Sequence, residues 1–298
     1  MTSSDQQKTI RRGVISGLLA VMCWAGFVLV SRLGGQGVML PWDVVVLRFV
    51  IGSVILLAMA WRQLLWNVRG LVLAMVGGLG YSLMVYQGFR MTSAVHAAVM
   101  LPGAIPLAAA IFSKLILGER FSLVRTTGLA LICVGIASML ISSDVKVSLA
   151  GDAWLLGAVL AWALYTVLAR RWRVSPMAGA VTTAAGSAAL FLPVYLLWLP
   201  GQLMQAPWQE LLIQGVYQGV IASVVAMLLY LRAVVSIGPA ATGALMALVP
   251  VLSGLAAVPV LGETLELLEL MGLLVTSLGA VMASGLLQSS RQVSLEGR

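Results

Sequence analysis

The chain has 298 residues, of which 61% are hydrophobic and only 9% are charged, whereas about a quarter of the residues in soluble domains are charged. This composition excludes a water-soluble fold and predicts an integral membrane protein. The formal net charge is +8, but the basic residues are spread over many short segments between apolar stretches. That distribution is typical of membrane topology and argues against a nucleic-acid partner.

Ten apolar stretches are predicted to cross the membrane as helices, because about 20 helical residues span a hydrocarbon core of roughly 30 Å. The alternation of apolar and polar residues expected of a transmembrane barrel is absent from these stretches. The predicted spans are residues 12–31, 42–60, 70–89, 94–115, 125–141, 151–169, 177–198, 210–231, 237–260 and 267–287.

The second half of the chain repeats the first. Five spans in each half is an odd number, so the second unit must enter the membrane from the opposite side, and the repeats are predicted to be inverted. At an offset of 138, the matches are Gly13 with Gly151, Trp24 with Trp162 and Arg32 with Arg170. At an offset of 144, they are Tyr86 with Tyr230, Pro106 with Pro250, Leu117-Gly118-Glu119 with Leu261-Gly262-Glu263, Gly128 with Gly272 and Gly135 with Gly279.

The predicted organisation is a first repeat over 12–141 and a second over 151–287, with cytoplasmic tails at 1–11 and 288–298. The first span is too long for the apolar part of a signal peptide, and we expect it to be retained. With both termini inside, 14 basic residues lie in cytoplasmic segments. Outside lie Arg32, Arg90 and Lys146, while Arg48 falls within a span. We expect a multi-pass protein of a bacterial inner membrane.

The sequence offers no pattern typical of catalysis or of metal binding. Its two cysteines, Cys23 and Cys133, fall within apolar spans, and there is a single histidine. No phosphate-binding loop or nucleophile with a nearby base is recognisable. An acidic cluster begins at Glu263, but Glu266 and Glu269 fall in the first turn of the tenth span, where a helix N-terminus stabilises negative charge. We expect no enzymatic activity, no metal and no cofactor.

The arrangement of the paired motifs resembles the EamA-like ten-helix permeases of the drug/metabolite transporter superfamily. In each half the fourth span contains a proline and is followed by Leu-Gly-Glu. The fifth span of each half holds two glycines seven residues apart. The resemblance implies an all-α integral membrane fold, with ten transmembrane helices as two inverted five-helix repeats around a central cavity. It places the fifth and tenth spans on the outside, and it implies transport of a small metabolite, often export of amino acids or related compounds.

Carried over to this chain, the resemblance lines the cavity with spans 1, 3, 4, 6, 8 and 9. Polar and aromatic residues within or next to these spans are the candidates, because lipid supplies no hydrogen-bonding partner. The substrate-cavity candidates are Trp24, Arg48, Tyr86, His96, Met100, Trp162, Tyr165, Gln214, Gln218 and Tyr230.

The aromatic candidates form symmetric pairs. Trp24 and Trp162 occupy equivalent mid-span positions, where lining the cavity and packing between helices are the two interpretations. Tyr86 and Tyr230 lie late in their spans, so a place in the interfacial aromatic belt is the alternative to the cavity. Tyr165, one turn beyond Trp162, gives the sixth span an aromatic face that fits either a substrate or the core.

Arg48 lies roughly 10 Å along its helix, a depth at which a charge usually faces a cavity or a partner. Facing the cavity, it would favour a substrate with a carboxylate or phosphate group. The alternatives are that it extends to the outer interface or pairs with Asp43. Gln214 and Gln218, one turn apart, form a polar stripe that faces the cavity or a neighbouring helix.

His96 lies near the start of the fourth span, with Met100 one turn further on. It is interpreted either as a hydrogen-bonded histidine at the interface or as a proton relay. Glu119 and Glu263 follow glycines at helix ends and are predicted to be solvated charges after a glycine stop. The glycine pairs of the fifth and tenth spans, at 128, 135, 272 and 279, are predicted to be close-packing positions.

The predicted function is transmembrane transport of a small polar or amphipathic metabolite, such as an amino acid, by alternating access and in the direction of export. The alternatives are efflux of drugs or lipophilic cations and a non-transporting membrane scaffold or sensor. No acidic residue lies deep within a span, which disfavours proton-driven drug efflux. A facilitator, an exchanger, and coupling through His96 or an acid at the membrane edge all remain open. The expected partners are the substrate and the lipid bilayer, and a homodimer is left open.

Overall fold

The computed structural model describes residues 3–141 and 149–286, and all regular structure in these two ranges is helical. Seven helices are long and apolar enough to cross a membrane, and α5, α9 and α10 are shorter apolar helices. The helices are α1 (Ser3–Gln36), α2 (Pro41–Ala60), α3 (Val68–Met91), α4 (Ala94–Leu117), α5 (Leu123–Ile141), α6 (Leu149–Arg171), α7 (Pro176–Trp198), α8 (Trp208–Met246), α9 (Val249–Leu261) and α10 (Leu267–Ala283).

The ten-helix architecture predicted from the sequence is confirmed, with differences at the helix ends. Helix α1 begins at Ser3, so the segment predicted as an N-terminal tail is already helical from that residue. Lys146 and the predicted C-terminal tail at 288–298 lie outside the described residues.

The eighth and ninth spans are joined by a bend instead of a loop. Gly238, within α8, has φ 82° and ψ 161°, outside the helical region, and Pro239 follows it. The chain then continues as a helix to Met246 and enters α9 after two residues. Predicting one helix over 237–260 was therefore wrong in detail, because the ninth crossing consists of two helical pieces.

Local signals in the sequence explain where α4 and α9 begin and end. The Ser93 hydroxyl caps α4 by accepting a hydrogen bond from the backbone N–H of His96 at 3.1 Å. Helices α4 and α9 end at Gly118 and Gly262, whose φ values of 70° and 67° are left-handed. Only glycine adopts this conformation without steric cost, so the predicted glycine stops are confirmed.

The two five-helix repeats are related by a pseudo-two-fold axis, which is evident from the packing of the helices. Helix α1 packs on α8 as α6 packs on α3, and α9 packs on α1 as α4 packs on α6. The contacts of α2 with α8 likewise match those of α7 with α3, while α5 packs on α10 across the axis. Exchanging the repeats thus reproduces these contacts.

Reciprocal glycine contacts hold α5 and α10 together. A Cβ atom placed on Gly128 would lie 2.6 Å from the carbonyl oxygen of Gly279, and one on Gly279 would lie 2.6 Å from the carbonyl oxygen of Gly128. The same reciprocity joins Gly135 and Gly272, at 2.8 and 2.9 Å. Backbones this close leave no space for a side chain, so the predicted close packing is confirmed.

Both repeats contain a stretch of π-helix at related positions. Residues 74–80 of α3 and 215–225 of α8 form these wider turns. In α8 the Ser223 hydroxyl donates a hydrogen bond of 2.6 Å to the carbonyl oxygen of Gln218. Wide turns of this kind are frequent at functional sites, and this one carries a candidate glutamine.

Candidate functional site

The helical bundle has two ends, which we name after the repeat-related glutamates. The Glu263 end contains the ends of α1, α3 and α9 and the beginning of α4. The Glu119 end contains the end of α4 and, close to it, the end of α6. Since α4 runs from one end to the other, equivalent residues of the two repeats lie at opposite ends, as inverted repeats require.

A buried chain of hydrogen bonds connects Arg48 of α2 to α8. Arg48 Nη1 donates to the Tyr86 hydroxyl at 3.0 Å, and that hydroxyl donates to Gln218 Oε1 at 2.9 Å. The Arg48 guanidinium also lies 5.5 Å from the centre of the Phe27 ring, within the range of a cation–π interaction. Among the described residues no carboxylate pairs with Arg48.

The two glutamines extend this chain of hydrogen bonds to α1. Gln218 Nε2 donates to Ser31 Oγ at 3.1 Å and to Gln214 Oε1 at 3.2 Å, and Gln214 Nε2 donates to the carbonyl oxygen of Val30 at 2.7 Å. Both glutamines are fully buried. The polar stripe predicted from the sequence thus faces a neighbouring helix, α1.

Asp43 is not the partner of Arg48, contrary to one of the alternatives considered from the sequence. Its carboxylate accepts hydrogen bonds from the Tyr195 hydroxyl at 2.6 Å, from the backbone N–H of Gln202 at 3.1 Å and from that of Leu40 at 2.8 Å. Asp43 therefore caps the first turn of α2 and joins this helix to α7. Donors from three residues satisfy its negative charge.

The aromatic candidates form two separate clusters. Trp24 contacts Tyr230, with 5.4 Å between ring centroids. Trp162 lies 4.9 Å from Tyr81 and 5.1 Å from Tyr165. The repeat-related tyrosines therefore have different partners, because Tyr86 contacts the arginine network and Tyr230 contacts a tryptophan. Met100 lies in the hydrophobic core.

His96 faces a buried carboxylate on α6. Its Nε2 lies 2.9 Å from Oδ1 of Asp152, although the two atoms are not in hydrogen-bond geometry. The His96 side chain has no exposure to solvent. Within the described ranges, His96 Nδ1 and Asp152 Oδ2 have no hydrogen-bond partner. The hydrogen-bonded interpretation of this histidine is therefore wrong.

Glu263 is not a solvated charge, contrary to the prediction. Its carboxylate accepts hydrogen bonds from the backbone N–H groups of Ala94 at 2.9 Å and Val95 at 3.0 Å. Arg32 Nε also contacts Glu263 Oε1 at 3.4 Å, while Arg32 Nη1 donates to the carbonyl oxygen of Phe89 at 2.9 Å. Glu263 therefore binds the N-terminus of α4, where the helix dipole stabilises a negative charge.

The repeat-related residues pair at the opposite end of the bundle. Arg170 Nη2 contacts the Glu119 carboxylate, and Arg125 Nη1 lies 3.6 Å from its other oxygen. Arg170 is 61% exposed, against 18% for Arg32, so this second pair is much more accessible to water. The prediction of a solvated charge is wrong at Glu119 as well, because ion pairing holds its carboxylate.

A cavity of about 680 Å³ opens at the Glu119 end, between the first half of α1 and the segment around the bend in α8. Its walls are mostly apolar, and none of the ten candidates contributes to them. A far smaller void, of about 10 Å³, lies against Tyr86 at the Glu263 end. Lining residues of the large cavity are Gln6, Thr9, Ile10, Val14, Ser236, Ile237, Ala241, Ala244, Leu245, Leu248 and Leu286.

The repeat-related region at the Glu263 end is closed by packing. Val14, Ala241 and Ala244 line the cavity, and the residues that match them at offsets of 138 and 144 are Asp152, Ala97 and Met100. All three of these matching residues are buried. Among residues 3–141 and 149–286, one interface of the two-fold arrangement is therefore open and its counterpart is closed.

The sequence singled out Arg32, His96 and Glu263 but did not predict which residues they contact. Arg32 and Glu263 each belonged to a repeated motif, which was a usable signal. Asp152 was noted only as an acid at the end of a span. Phe27 and Tyr81 belonged to no repeated motif. The ten candidates as a substrate site remain a prediction.

Comparisons with known proteins agree with this architecture. A family model described as the EamA-like transporter family matches residues 11–141 and 149–285. A Bacillus subtilis (strain 168) protein named "Uncharacterized transporter YyaM" is 24% identical over 229 residues, which cover 73% of each chain. A solved crystal structure with 19% identity has a TM-score of 0.63 and covers 94% of this chain and 98% of that one. Because the family model matches both repeats over nearly the whole chain, the chain belongs to the EamA-like transporter family.

Proposed function

We propose that the chain exports a small metabolite that bears a carboxylate group, such as an amino acid or a related compound, by alternating access. The family and the Bacillus relative support membrane transport of a small solute. The substrate class rests on one observation, which is that Arg48 of α2 is held by a tyrosine hydroxyl and an aromatic ring.

Arg48 supports a carboxylate-bearing substrate because, in the part of the chain that the structure describes, no carboxylate pairs with its positive charge. A charge inside a membrane protein is costly unless it is paired, and the described partners of Arg48 are a tyrosine hydroxyl and an aromatic ring. A guanidinium can bind a carboxylate through two parallel hydrogen bonds. The Tyr86 hydroxyl and the Gln218 amide lie beside it and can hydrogen-bond other polar groups of the same molecule.

The unequal ends of the bundle support alternating access. A cavity opens at the Glu119 end, while the repeat-related region at the Glu263 end is packed closed. In an inverted repeat the two arrangements can be exchanged, which would open the Glu263 end and close the other. The Arg32–Glu263 pair at the closed Glu263 end would break during this exchange.

The basic residues support an orientation with the Glu119 end in the cytoplasm of a bacterium. Arg11, Arg62, Arg120 and Arg173 lie in segments at this end, and both termini would be cytoplasmic. The open cavity then faces the cytoplasm, where a metabolite for export would enter. We propose the inner membrane as the location.

Flux into proteoliposomes tests this function. Radiolabelled amino acids, organic anions, nucleosides and lipophilic cations would be supplied to purified protein, with Arg48→Gln as the test variant. Arg62→Gln is the matched control, since Arg62 lies just beyond the same helix and is exposed. We expect saturable flux of carboxylates that falls at least tenfold in Arg48→Gln and is unchanged in Arg62→Gln. Equal carboxylate flux in both variants would contradict the proposal.

Efflux of lipophilic cations is the second candidate, and the aromatic clusters favour it. Trp24 with Tyr230, and Trp162 with its two tyrosines, present ring faces of the kind that bind organic cations. For such a substrate, Arg48→Gln would increase flux by removing a like charge. Trp162→Ala would then decrease it.

A further inference from the structure

We propose that His96 and Asp152 form a proton-binding site whose occupancy closes the Glu263 end. The two side chains come from α4 and α6, whose repeat-related counterparts, around Ala240 and Val14, border the open cavity. This inference rests on the proposed alternation between the two ends. It adds an ionic ligand, the proton, to the carrier.

The contrast between two buried carboxylates carries the argument. Asp43 accepts hydrogen bonds from three donors and is therefore stable as an anion. Asp152 is also buried, in the first turn of α6, but within the described ranges neither of its carboxylate oxygens has a hydrogen-bond partner, and His96 Nε2 lies 2.9 Å away. A buried carboxylate without donors is unstable unless a positive charge lies beside it.

Several charged groups lie around His96 and Asp152. Glu269 of α10 is fully buried and interacts electrostatically with His96. Acidic residues thus approach from three directions. The titratable and charged groups facing this site are Asp152 from α6, Glu269 from α10, Glu263 and Glu266 from the connection between α9 and α10, and Arg32 from α1, while Arg90 at the end of α3 is exposed.

Among the described residues, carboxylates outnumber basic groups at this site. Four carboxylates face Arg32 and His96, and Arg32 is already bound to Glu263. A proton on His96 gives a cation in contact with Asp152. The residues that match His96, Asp152 and Glu269 in the other repeat are Ala240, Val14 and Arg125, so these three ionisable residues do not recur at the Glu119 end.

The direction in which pH changes the ratio of closed to open molecules follows from the charges in the closed form. With the proton bound, the closed end holds an ion pair, which is a compensated arrangement. When the proton is lost, closure leaves Asp152 buried with the dipole of the first turn of α6 but without its described cationic neighbour, so the open form becomes favoured because water then reaches the carboxylate. Low pH at the Glu263 end thus favours closure and high pH favours opening. For a single proton, the ratio of closed to open molecules changes at most about tenfold per pH unit.

Distances between two spin labels would measure this ratio in lipid nanodiscs. Labels on Leu149 and Leu267, both strongly exposed, report on the Glu263 end, in a background with Cys23 and Cys133 replaced by alanine. The symmetry places the equivalent reporters for the Glu119 end at Arg11 and Leu123. Between pH 5.5 and 8 we expect the closed fraction at the Glu263 end to fall as pH rises, with the opposite change at the Glu119 end.

Variants of the pair distinguish this site from other titrating groups. His96→Gln and Asp152→Asn should each remove the pH dependence, so that the closed fraction is constant. Asp43→Asn is the matched control, since it neutralises a buried carboxylate with its own donors, and it should keep the wild-type dependence. An unchanged dependence in His96→Gln or in Asp152→Asn would overturn the inference.

A second measurement needs no substitution at the site. His96 is the single histidine of the chain, so a protein labelled with ¹⁵N-histidine and purified without a histidine tag gives one pair of ring signals. We expect these signals to show proton uptake over the pH range in which the labels report closure. A ring that remains neutral in the closed form would overturn the inference.

Solute flux in the same preparations separates this proposal from the proposed function. If wild-type protein carries none of the solutes but closes at low pH and both variants lose that response, the proton site stands and the proposed substrate fails. If solutes are carried while both variants keep the wild-type pH response, the proposed function stands and the proton site is overturned.

Discussion

The Arg32 guanidinium lies 3.4 Å from the Glu263 carboxylate, and the residues that match them in the other repeat, Arg170 and Glu119, also pair. One pair lies at each end of the bundle. Both pairs are formed together, the one at the open Glu119 end as well as the one at the closed Glu263 end, and only the pair at the Glu263 end is largely buried and also binds a helix N-terminus.

Neutralising Glu263 should open its end of the bundle. Glu263→Gln loses hydrogen bonds and an ion pair that involve a charge, each such bond contributing about 1.5–3 kcal/mol, so we expect the closed fraction to fall by roughly tenfold or more. Spin labels on Leu149 and Leu267 measure it. Glu119→Gln is the matched variant. Because the Glu119 pair is formed while its own end is open, this variant should change the closed fraction less than twofold. Equal losses in both variants would contradict a specific role of Glu263 in holding its end closed.

Removing the Tyr86 hydroxyl should weaken substrate binding. Tyr86→Phe takes away the group between Arg48 and Gln218, and one hydrogen bond contributes about 1 kcal/mol, so we expect KM for flux to rise about fivefold. Tyr230→Phe changes the repeat-related tyrosine, which contacts a tryptophan instead. KM in that control should change less than twofold, and equal effects in both variants would contradict the role given to Arg48.

A methyl group on Gly279 should destabilise the protein. Its Cβ would lie 2.6 Å from the carbonyl oxygen of Gly128, and overpacking of this kind costs about 1–3 kcal/mol. Thermal unfolding of Gly279→Ala in detergent, followed by circular dichroism, should show a lower midpoint. In Gly243→Ala the nearest atom, Ser284 Cβ, would be 3.4 Å away, so that variant should unfold close to the wild type. A Gly279→Ala midpoint equal to that of the wild type would show that α5 and α10 can move apart.

Replacing Asp43 should loosen α2 from α7. Asp43→Asn removes the charge that accepts hydrogen bonds from Tyr195 and Gln202, and we expect a loss of about 1.5–3 kcal/mol in the free energy of unfolding. Tyr195→Phe breaks one of the same bonds. The double variant should therefore lose less than the sum of the two single losses. Strict additivity would mean that the two side chains act independently.

The sequence predicted the elements of this fold better than their contacts. Hydrophobic runs and the offset of 144 were enough for ten helices in two inverted repeats, because span length and duplication are local properties of the chain. The pairing of Arg32 with Glu263 was not predictable from spacing, since 231 residues separate them and only tertiary packing brings them together. Because Arg170 matches Arg32 and Glu119 matches Glu263, a contact found in one pair predicts the same contact in the other.

The histidine shows the same limit. A single His96 near the start of a span gave two interpretations, and its contact with Asp152 depends on how α4 and α6 cross. The bend at Gly238 was missed for a different reason. A glycine followed by proline normally suggests a loop between helices, but here the helix resumes at once after one non-helical residue.

The proline that follows this bend makes the two ends of the molecule unequal. Glu263 binds the amide groups of Ala94 and Val95, and the residues that match them are Gly238 and Pro239. A proline has no amide hydrogen to donate, so Glu119 cannot be held by its helix in the same way. One imino acid therefore takes from the Glu119 end an anchor that the Glu263 end keeps, and two repeats with the same motifs differ in how firmly their glutamates are bound.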